Sequence, residues 1–269
     1  MTRYALKVAY DGTAFNGSQR QPEPARTVEL DVTKAARGLG ILGDDGWFVL
    51  GGRTDAGVSA LGNVGALDTE FDEGALVVAL NSQLEDVWAY GMARVSNEFN
   101  PRYATLRWYR YLIEREGIDI KKAEDAARLF AGDHDFTHFS KLDDTADRSP
   151  LRRIDSIEVV EKGDFIALDV RGESFLWQMV RRVAGAVQGI ASGKVPVEVV
   201  KAALHRPKDY QGEAFPPLPP EGLWLMDTMY SFEFATEPLP ERFQRAHLQS
   251  MLKGKFYEEV SRMGDMQRL

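Results

Sequence analysis

The chain has 269 residues, of which 44% are hydrophobic, so it is long enough for one large or two medium domains with a buried core. It contains no cysteine, which excludes disulfides, thiolate metal sites and a cysteine nucleophile. Its formal net charge of −8 argues against nucleic-acid binding by the surface as a whole, because phosphate contacts require lysine and arginine.

The first hundred residues predict a mixed unit of helices and strands. Residues 3–11 alternate as a strand does, and Thr27 is placed to cap a helix that ends near Leu39. The other predicted elements of this half are strands at 47–50, 63–68 and 87–95 and a helix at 74–84. We predict an N-terminal α/β domain over residues 1–100.

Residues 101–235 repeat this style and predict a C-terminal α/β domain. Its predicted elements are strands at 104–114, 154–160, 165–171 and 223–234 and helices at 121–130, 178–192 and 196–204. Direct hairpins mixed with helices favour an α+β arrangement of antiparallel strands over a doubly wound parallel sheet. Residues 236–269 predict an appended helical tail, for which packing on the body is the simplest role; a dimer contact or an RNA contact through Lys253 and Lys255 are alternatives.

The residues that follow the predicted strand at 47–50 are the best candidates for chemistry. Two glycines end that strand, so Asp55 in GGRTDAGVSA lies on a loop, and Gly57 lets the backbone turn beside it. A loop carboxylate held by a rigid strand can be aimed at a substrate. Arg53 can bind phosphate or pair with the carboxylate. An ordinary turn with an Asx-type hydrogen bond is the structural alternative.

Motifs spread along the chain add a resemblance. GRTDAGV resembles the catalytic motif of the TruA family of transfer RNA pseudouridine synthases, in which the aspartate is essential, and Asp55 occupies that position. The other matches, in chain order, are YDGTAFNGSQRQP at 10–22, RWYRY at 107–111, DFTHF at 135–139, FLWQMVRRVAG at 175–185 and PPEGLWL at 219–225. The chain is identified as an archaeal-like member of the family. It departs from the family at Ser18, where an aromatic residue is usual, and at Ser59, where bacterial members often have histidine.

The resemblance implies a fold and roles for particular residues. It implies two ferredoxin-like halves whose antiparallel sheets flank a central RNA-binding cleft, and a homodimer. Arg181 is expected to pair with Asp55. Tyr109 is expected to stack on the target uracil, and assistance in proton removal is a further catalytic role that the resemblance allows it. Leu223 or Leu225 is expected to form an apolar wall. By local pattern alone, Tyr109 and the leucines fit the core equally well, and Arg181 fits a helix surface.

Arginines are clustered in the sequence and can form a basic cleft on an acidic protein. The clusters are Arg102, Arg107, Arg110 and Arg115; Arg148, Arg152 and Arg153; and Arg181 and Arg182. Among them, Arg107 and Arg110 are candidate substrate-binding residues together with Arg53, provided that the clusters converge on one face. Solvated surface is the alternative for each cluster.

No cofactor or metal is expected. GLGILG at 38–43 matches a dinucleotide motif but follows a predicted helix where that motif needs a strand. His134 and His138 have the spacing of a zinc-binding pair, but Gly132 and Asp133 favour a loop there. No apolar run approaches the roughly 20 residues of a membrane helix, and the N-terminus lacks the features of a secretory signal. We therefore expect a cytoplasmic protein that is not bound to a membrane.

The predicted reaction is the isomerisation of uridine to pseudouridine in transfer RNA, at positions 38 to 40 of the anticodon arm by family resemblance. Such a reaction requires no redox step, energy source or metal. Asp55 can attack the base, attack the sugar, or remove a sugar proton, and the target base must leave its stack. A non-catalytic RNA-binding protein and a carboxylate hydrolase are the alternatives. The hydrolase normally needs a second acid, which the sequence does not indicate.

Overall fold

The computed structural model describes residues 1–22, 24–141, 149–238 and 240–266. The first half contains β1 (Thr2–Tyr10), α1 (Val28–Gly38), β2 (Val49–Leu50), β3 (Ser59–Thr69), α2 (Glu73–Gln83) and β4 (Val87–Val95). Its strand order is β4-β1-β3-β2, with each neighbouring pair antiparallel. This order and the βαββαβ sequence of elements are those of a ferredoxin-like unit.

The second half repeats the same order. It contains β5 (Leu106–Glu114), α3 (Ile120–Arg128), β6 (Gly132–Asp135), β7 (Leu151–Ile154), β8 (Ser156–Lys162), β9 (Phe165–Gly172), α4 (Met179–Ala191), α5 (Val197–His205) and β10 (Leu223–Met229). Its main strands are arranged β10-β5-β9-β8, again antiparallel, while β6 and β7 form a separate two-stranded sheet. The predicted α+β class with two ferredoxin-like halves is confirmed.

The two halves share one sheet. β10 pairs in parallel with β3, through Trp224 with Ser59 and Leu225 with Ala60. After β10 the chain returns to the first half, where β11 (Ala235–Thr236) pairs with β4. Because β3 carries the loop of Asp55 and β10 belongs to the second half, this junction places both halves around the loop. The domain boundary at residue 100 stays a prediction.

Apolar side chains at the expected periods form the core between the sheet and the helices. Tyr4, Leu6 and Val8 of β1 are buried, and α1 begins after Thr27, whose hydroxyl accepts a hydrogen bond from the Leu30 amide. In α4, the apolar stripe at 179, 183, 187 and 190 is buried as its spacing predicts. Apolar burial on this scale is the main term that stabilises the fold.

Several predicted elements were wrong in extent or type. The strand predicted at 63–68 begins at Ser59, because β1 and β10 pair with its first residues. The strand predicted at 47–50 is limited to its last two residues, since the Trp47 ring lies beneath the guanidinium groups of Arg20 and Arg37. The strand predicted at 223–234 ends at Met229, because the aromatic residues that follow pack on one another. Gly132 and Asp133 lie in β6, not in a loop, because β7 supplies a pairing partner from a distant part of the chain.

The tail forms α6 (Glu241–Met266). Its first turn packs on the body, with the Phe243 ring 5.2 Å from that of Trp88, while Leu248, Met251 and Leu252 are exposed. Arg148 lies outside the described residues, as does the side chain of Lys255. Within the described ranges, no helix is long and apolar enough to cross a membrane.

Candidate active site

Buried hydrogen bonds hold the base of the loop between β2 and β3. Asn63 donates from Nδ2 to the Gly52 carbonyl at 2.8 Å and to the Tyr10 hydroxyl at 3.0 Å, and its Oδ1 accepts from the Gly52 amide at 3.1 Å. The Tyr10 hydroxyl also lies 2.9 Å from Oγ1 of Thr54. Asn63 is fully buried, so these polar groups have no water to replace a lost partner.

Of the two serines that depart from the family pattern, Ser18 bonds to this loop, and Ser59 bonds to Gly12, whose carbonyl accepts from the Gly57 amide of the loop. Ser18 is fully buried, and its Oγ accepts from the Thr54 amide at 2.8 Å. Ser59 accepts from the Gly12 amide at 3.0 Å. Sequence reasoning did not single out Asn63, Tyr10 or Ser18 as supports of the loop. For Asn63, the signal in the sequence was a polar residue inside an otherwise apolar strand.

Replacement of Asn63 by alanine is expected to lower the free energy of unfolding by about 3 kcal/mol, because it leaves buried backbone groups of Gly52 without partners. Urea unfolding measures this loss. Asn81 is a matched control, since it is also buried and makes two bonds to the Ala89 backbone away from the loop. Asn81→Ala should destabilise the protein without changing the activity of the folded fraction. Asn63→Ala should lower both the stability and the activity of the folded fraction. Equal activities of the two variants would contradict a role of Asn63 in holding the loop.

The carboxylate of Asp55 is bonded through both oxygens. Oδ2 accepts from Nη1 of Arg181 at 2.9 Å, and Oδ1 accepts from Nε1 of Trp177 at 2.8 Å. The side chains of Arg181 and Asp55 are 11% and 18% exposed, so solvent screens this ion pair less than a surface pair. Gly57, with φ of +84°, makes the turn beside Asp55. The carboxylate is therefore held in one orientation, as nucleophilic or base chemistry requires.

Both donors come from the start of α4. Arg181 is in its first turn and also donates from Nε to the Leu218 carbonyl at 2.7 Å. Gln178, directly before the helix, has φ of +61°. Such a conformation is strained for a residue other than glycine and is characteristic of functional sites. Trp177 belongs to the FLWQMVRRVAG motif, but the sequence pattern did not indicate a role for it.

A cavity of about 140 Å³ opens beside the carboxylate. Its lining includes Asp55, Tyr109, Phe175, Trp177, Arg181 and Leu223. The rings of Tyr109 and Phe175 meet edge to face at 5.2 Å. Burial raises the pKa of Tyr109 to about 12, an effect that Arg107 opposes and Asp55 reinforces. The phenol is therefore protonated at neutral pH and suited to donate a hydrogen bond, not to act as a base.

A larger groove, of about 530 Å³, adjoins this cavity. It shares Arg53, Asp55 and Trp177 with the cavity and adds residues 16–21. The guanidinium of Arg53 lies 4.9 Å from the centre of the Trp177 ring, and Nζ of Lys141 lies 4.3 Å from it. Arg53 thus contacts an aromatic ring instead of pairing with Asp55.

Arg107 and Leu225 are not brought into the cavity. Arg107 is buried and donates to the backbone carbonyls of Arg102 and Glu173. Leu225 is fully buried beneath Gly52, so it supports the loop from the core, while Leu223 forms the wall.

Arg110 also lies away from the cavity, in an ion pair with Asp169. Nε and Nη2 of Arg110 donate to the two carboxylate oxygens at 2.8 and 2.7 Å, and Nε1 of Trp108 donates at 2.9 Å. Burial alone raises the pKa of Asp169, but the hydrogen bonds from Arg110 and Trp108 outweigh it and bring the pKa below the ordinary 3.8.

A carboxyl whose pKa is lowered by folding stabilises the protein above its ordinary pKa, and this contribution is lost as the pH falls through the lowered value. The stability difference between the wild type and Asp169→Asn is therefore expected to be constant above pH 5 and to shrink below about pH 4. Urea unfolding of both proteins at pH 6 and pH 3 measures it. An unchanged difference at pH 3 would contradict the assignment.

His134 and His138, which have the spacing of a zinc-binding pair in the sequence, each bond to a backbone carbonyl. His134 hydrogen-bonds the Ala131 carbonyl and His138 the Pro207 carbonyl, each through Nε2 at 2.9 Å. In the part of the chain that the structure describes, no group of three histidine, aspartate or glutamate side chains is placed to hold a metal ion.

Comparisons with known proteins place the chain in a family. A family model described as tRNA pseudouridine synthase matches residues 126–231. tRNA pseudouridine synthase A of Pyrococcus furiosus is 42% identical over 246 residues, 90% of this chain and 90% of its own length. That of Pyrococcus horikoshii is 39% identical and covers 97% and 96% of the two chains. A chain of the archaeal box H/ACA sRNP Nop10-Cbf5 complex matches at 14% identity over 69% of this chain and 44% of its own, with a TM-score of 0.36, too low to bear on function. The chain therefore belongs to the tRNA pseudouridine synthase A family of isomerases.

Proposed function

We propose that this chain converts uridine to pseudouridine in transfer RNA, with Asp55 as the essential carboxylate and uridines 38 to 40 of the anticodon arm as targets. The observation that carries the proposal is the carboxylate of Asp55, bonded through both oxygens at the junction of a small cavity and a larger groove. The relatives named tRNA pseudouridine synthase A support transfer RNA as the substrate. The anticodon positions rest on the motif resemblance.

The cavity suits a single flipped uracil. The rings of Tyr109 and Phe175 and the side chain of Leu223 offer apolar contacts, and Asp55 stands at the entrance. Extruding a base costs a few kcal/mol of lost stacking and pairing, which burial of the base against these side chains offsets. The protonated phenol of Tyr109 is available to donate to a uracil carbonyl.

The reaction is balanced within the substrate. The bond from C1′ of the ribose to N1 of uracil breaks, the uracil turns in the cavity, and a bond from C1′ to C5 forms. The proton on C5 is lost and N1 gains one, so no external reactant is consumed. Asp55 attacks C1′, attacks the base, or removes a sugar proton, and all three routes use the carboxylate that Arg181 binds.

The groove suits the RNA nucleotides on either side of the target uridine. Arg53 forms no ion pair with any described residue and lies where cavity and groove meet, so its charge is available for a phosphate. Arg20 also lines the groove. Arg107 and Arg110 do not take part in this contact, because their guanidinium groups are bonded to other groups of the protein. The homodimer and the cytoplasmic location stay predictions.

The test is pseudouridine formation on an unmodified transfer RNA transcript, in the presence of EDTA, with variants in which uridines 38, 39 and 40 are replaced by cytidine. Conversion at these positions alone supports the proposal in full, and conversion elsewhere would contradict the positions but not the reaction. Release of free uracil would favour the hydrolase. Binding without conversion of any uridine in several transfer RNAs would favour the non-catalytic RNA-binding protein.

A further inference from the structure

We infer that Trp177 is a positioning residue for Asp55: its indole N–H fixes the carboxylate oxygen that Arg181 leaves unbound. The inference rests on the proposed function, since it concerns the orientation of the proposed essential carboxylate. It assigns a role to a side chain that the motif comparison did not select.

Arg181 alone cannot fix the plane of the carboxylate. Its Nε is engaged by the Leu218 carbonyl, so it reaches Asp55 through Nη1 only. Arg110, by contrast, donates from two nitrogens to the two carboxylate oxygens of Asp169, and this bidentate geometry fixes the plane of a carboxylate. With a single contact to Arg181, the carboxylate of Asp55 could rotate about its terminal bond. The 2.8 Å bond from Trp177 to the other oxygen removes this freedom.

The indole is itself held before any substrate binds. The Lys141 amide donates to the Trp177 carbonyl at 2.8 Å, and the left-handed backbone of Gln178 follows at once. The cations of Arg53 and Lys141 lie over the ring and attract its π-electrons. Because the indole is neutral, it orients the carboxylate without adding a second positive charge that would weaken a nucleophile or base.

Single-turnover conversion of transfer RNA by saturating enzyme separates this role from RNA binding. Trp177→Phe keeps an aromatic ring but removes the N–H, and we expect the conversion rate to fall about 10- to 100-fold, the worth of one hydrogen bond to a charged group. The dissociation constant for transfer RNA should change less than about threefold. Trp177→His restores an N–H donor of comparable reach and should recover much of the rate.

Trp108→Phe is the matched control. Trp108 also donates to a carboxylate, that of Asp169, and also lies beside arginines, Arg110 and Arg171, but away from the cavity. Trp108→Phe should therefore leave the conversion rate within about twofold of the wild-type rate. A rate of Trp177→Phe equal to that of Trp108→Phe would overturn the inference, as would a loss confined to RNA binding.

A second readout does not depend on activity. The chain has five tryptophans, so the indole N–H signal of Trp177 can be assigned in an NMR spectrum by its loss in Trp177→Phe. Asp55→Asn should shift this signal, because a bond to a carboxylate is replaced by one to a neutral amide, and Asp169→Asn should shift that of Trp108 instead. If Asp55→Asn leaves the Trp177 signal unmoved, the inference is overturned, whether or not the protein converts uridine. Absence of uridine conversion by the wild type would instead refute the proposed function.

Discussion

Asp55→Asn is expected to lower the rate of pseudouridine formation at least about 1,000-fold, because the amide is neither a nucleophile nor a base. Binding of transfer RNA should change less than about threefold, since the phosphate contact proposed for Arg53 is untouched. Single-turnover conversion and a binding titration with the same transcript measure the two quantities.

Asp86→Asn is the control, because it removes an ion-paired carboxylate that lies outside the proposed site. Asp86 pairs with Arg26 at 2.8 Å on the surface, outside both the cavity and the groove, and its loss should leave the rate within about twofold. Substantial conversion by Asp55→Asn would refute the proposed role of Asp55. Loss of binding by the same variant would show that the carboxylate shapes the RNA site instead.

Arg181→Met is expected to lower the rate about 100-fold and to destabilise the fold. It leaves the mostly buried carboxylate of Asp55 without its cation and the Leu218 carbonyl without its donor. One hydrogen bond to a charged group is worth about 1.5–3 kcal/mol, up to about 100-fold in rate. Arg181→Lys keeps the charge but loses one of the two contacts, and a loss of about tenfold is expected.

Arg110→Lys is the control, because it replaces another ion-paired arginine by lysine at a place away from the cavity. It weakens the ion pair with Asp169 and should lower the urea midpoint without changing the conversion rate of the folded protein. If Arg181→Met retained the wild-type rate, Arg181 would be a structural residue of α4 and not a partner in catalysis. Measuring rate and urea midpoint for all three variants distinguishes these cases.

Local sequence was sufficient to predict most elements, because apolar spacing and caps act within one turn or one strand. Thr27 before α1 and the stripe of α4 are examples that the structure confirms. The predictions failed where an element depends on a distant partner, as β6 does on β7. The two-glycine turn placed Asp55 on a loop, but nothing local indicated that Asn63 holds that loop from the next strand.

The sequence by itself determined most of the elements, the loop that carries Asp55 and the family. Only the tertiary structure decided which polar groups meet. Asp55 and Arg181 are 126 positions apart, and the contact exists because β10 joins the two halves beside β3. Likewise, antiparallel register pairs Arg110 with Asp169 and leaves Arg53 available for a substrate. A side chain's type follows from the sequence, whereas its partner depends on sheet register and helix packing across the whole chain.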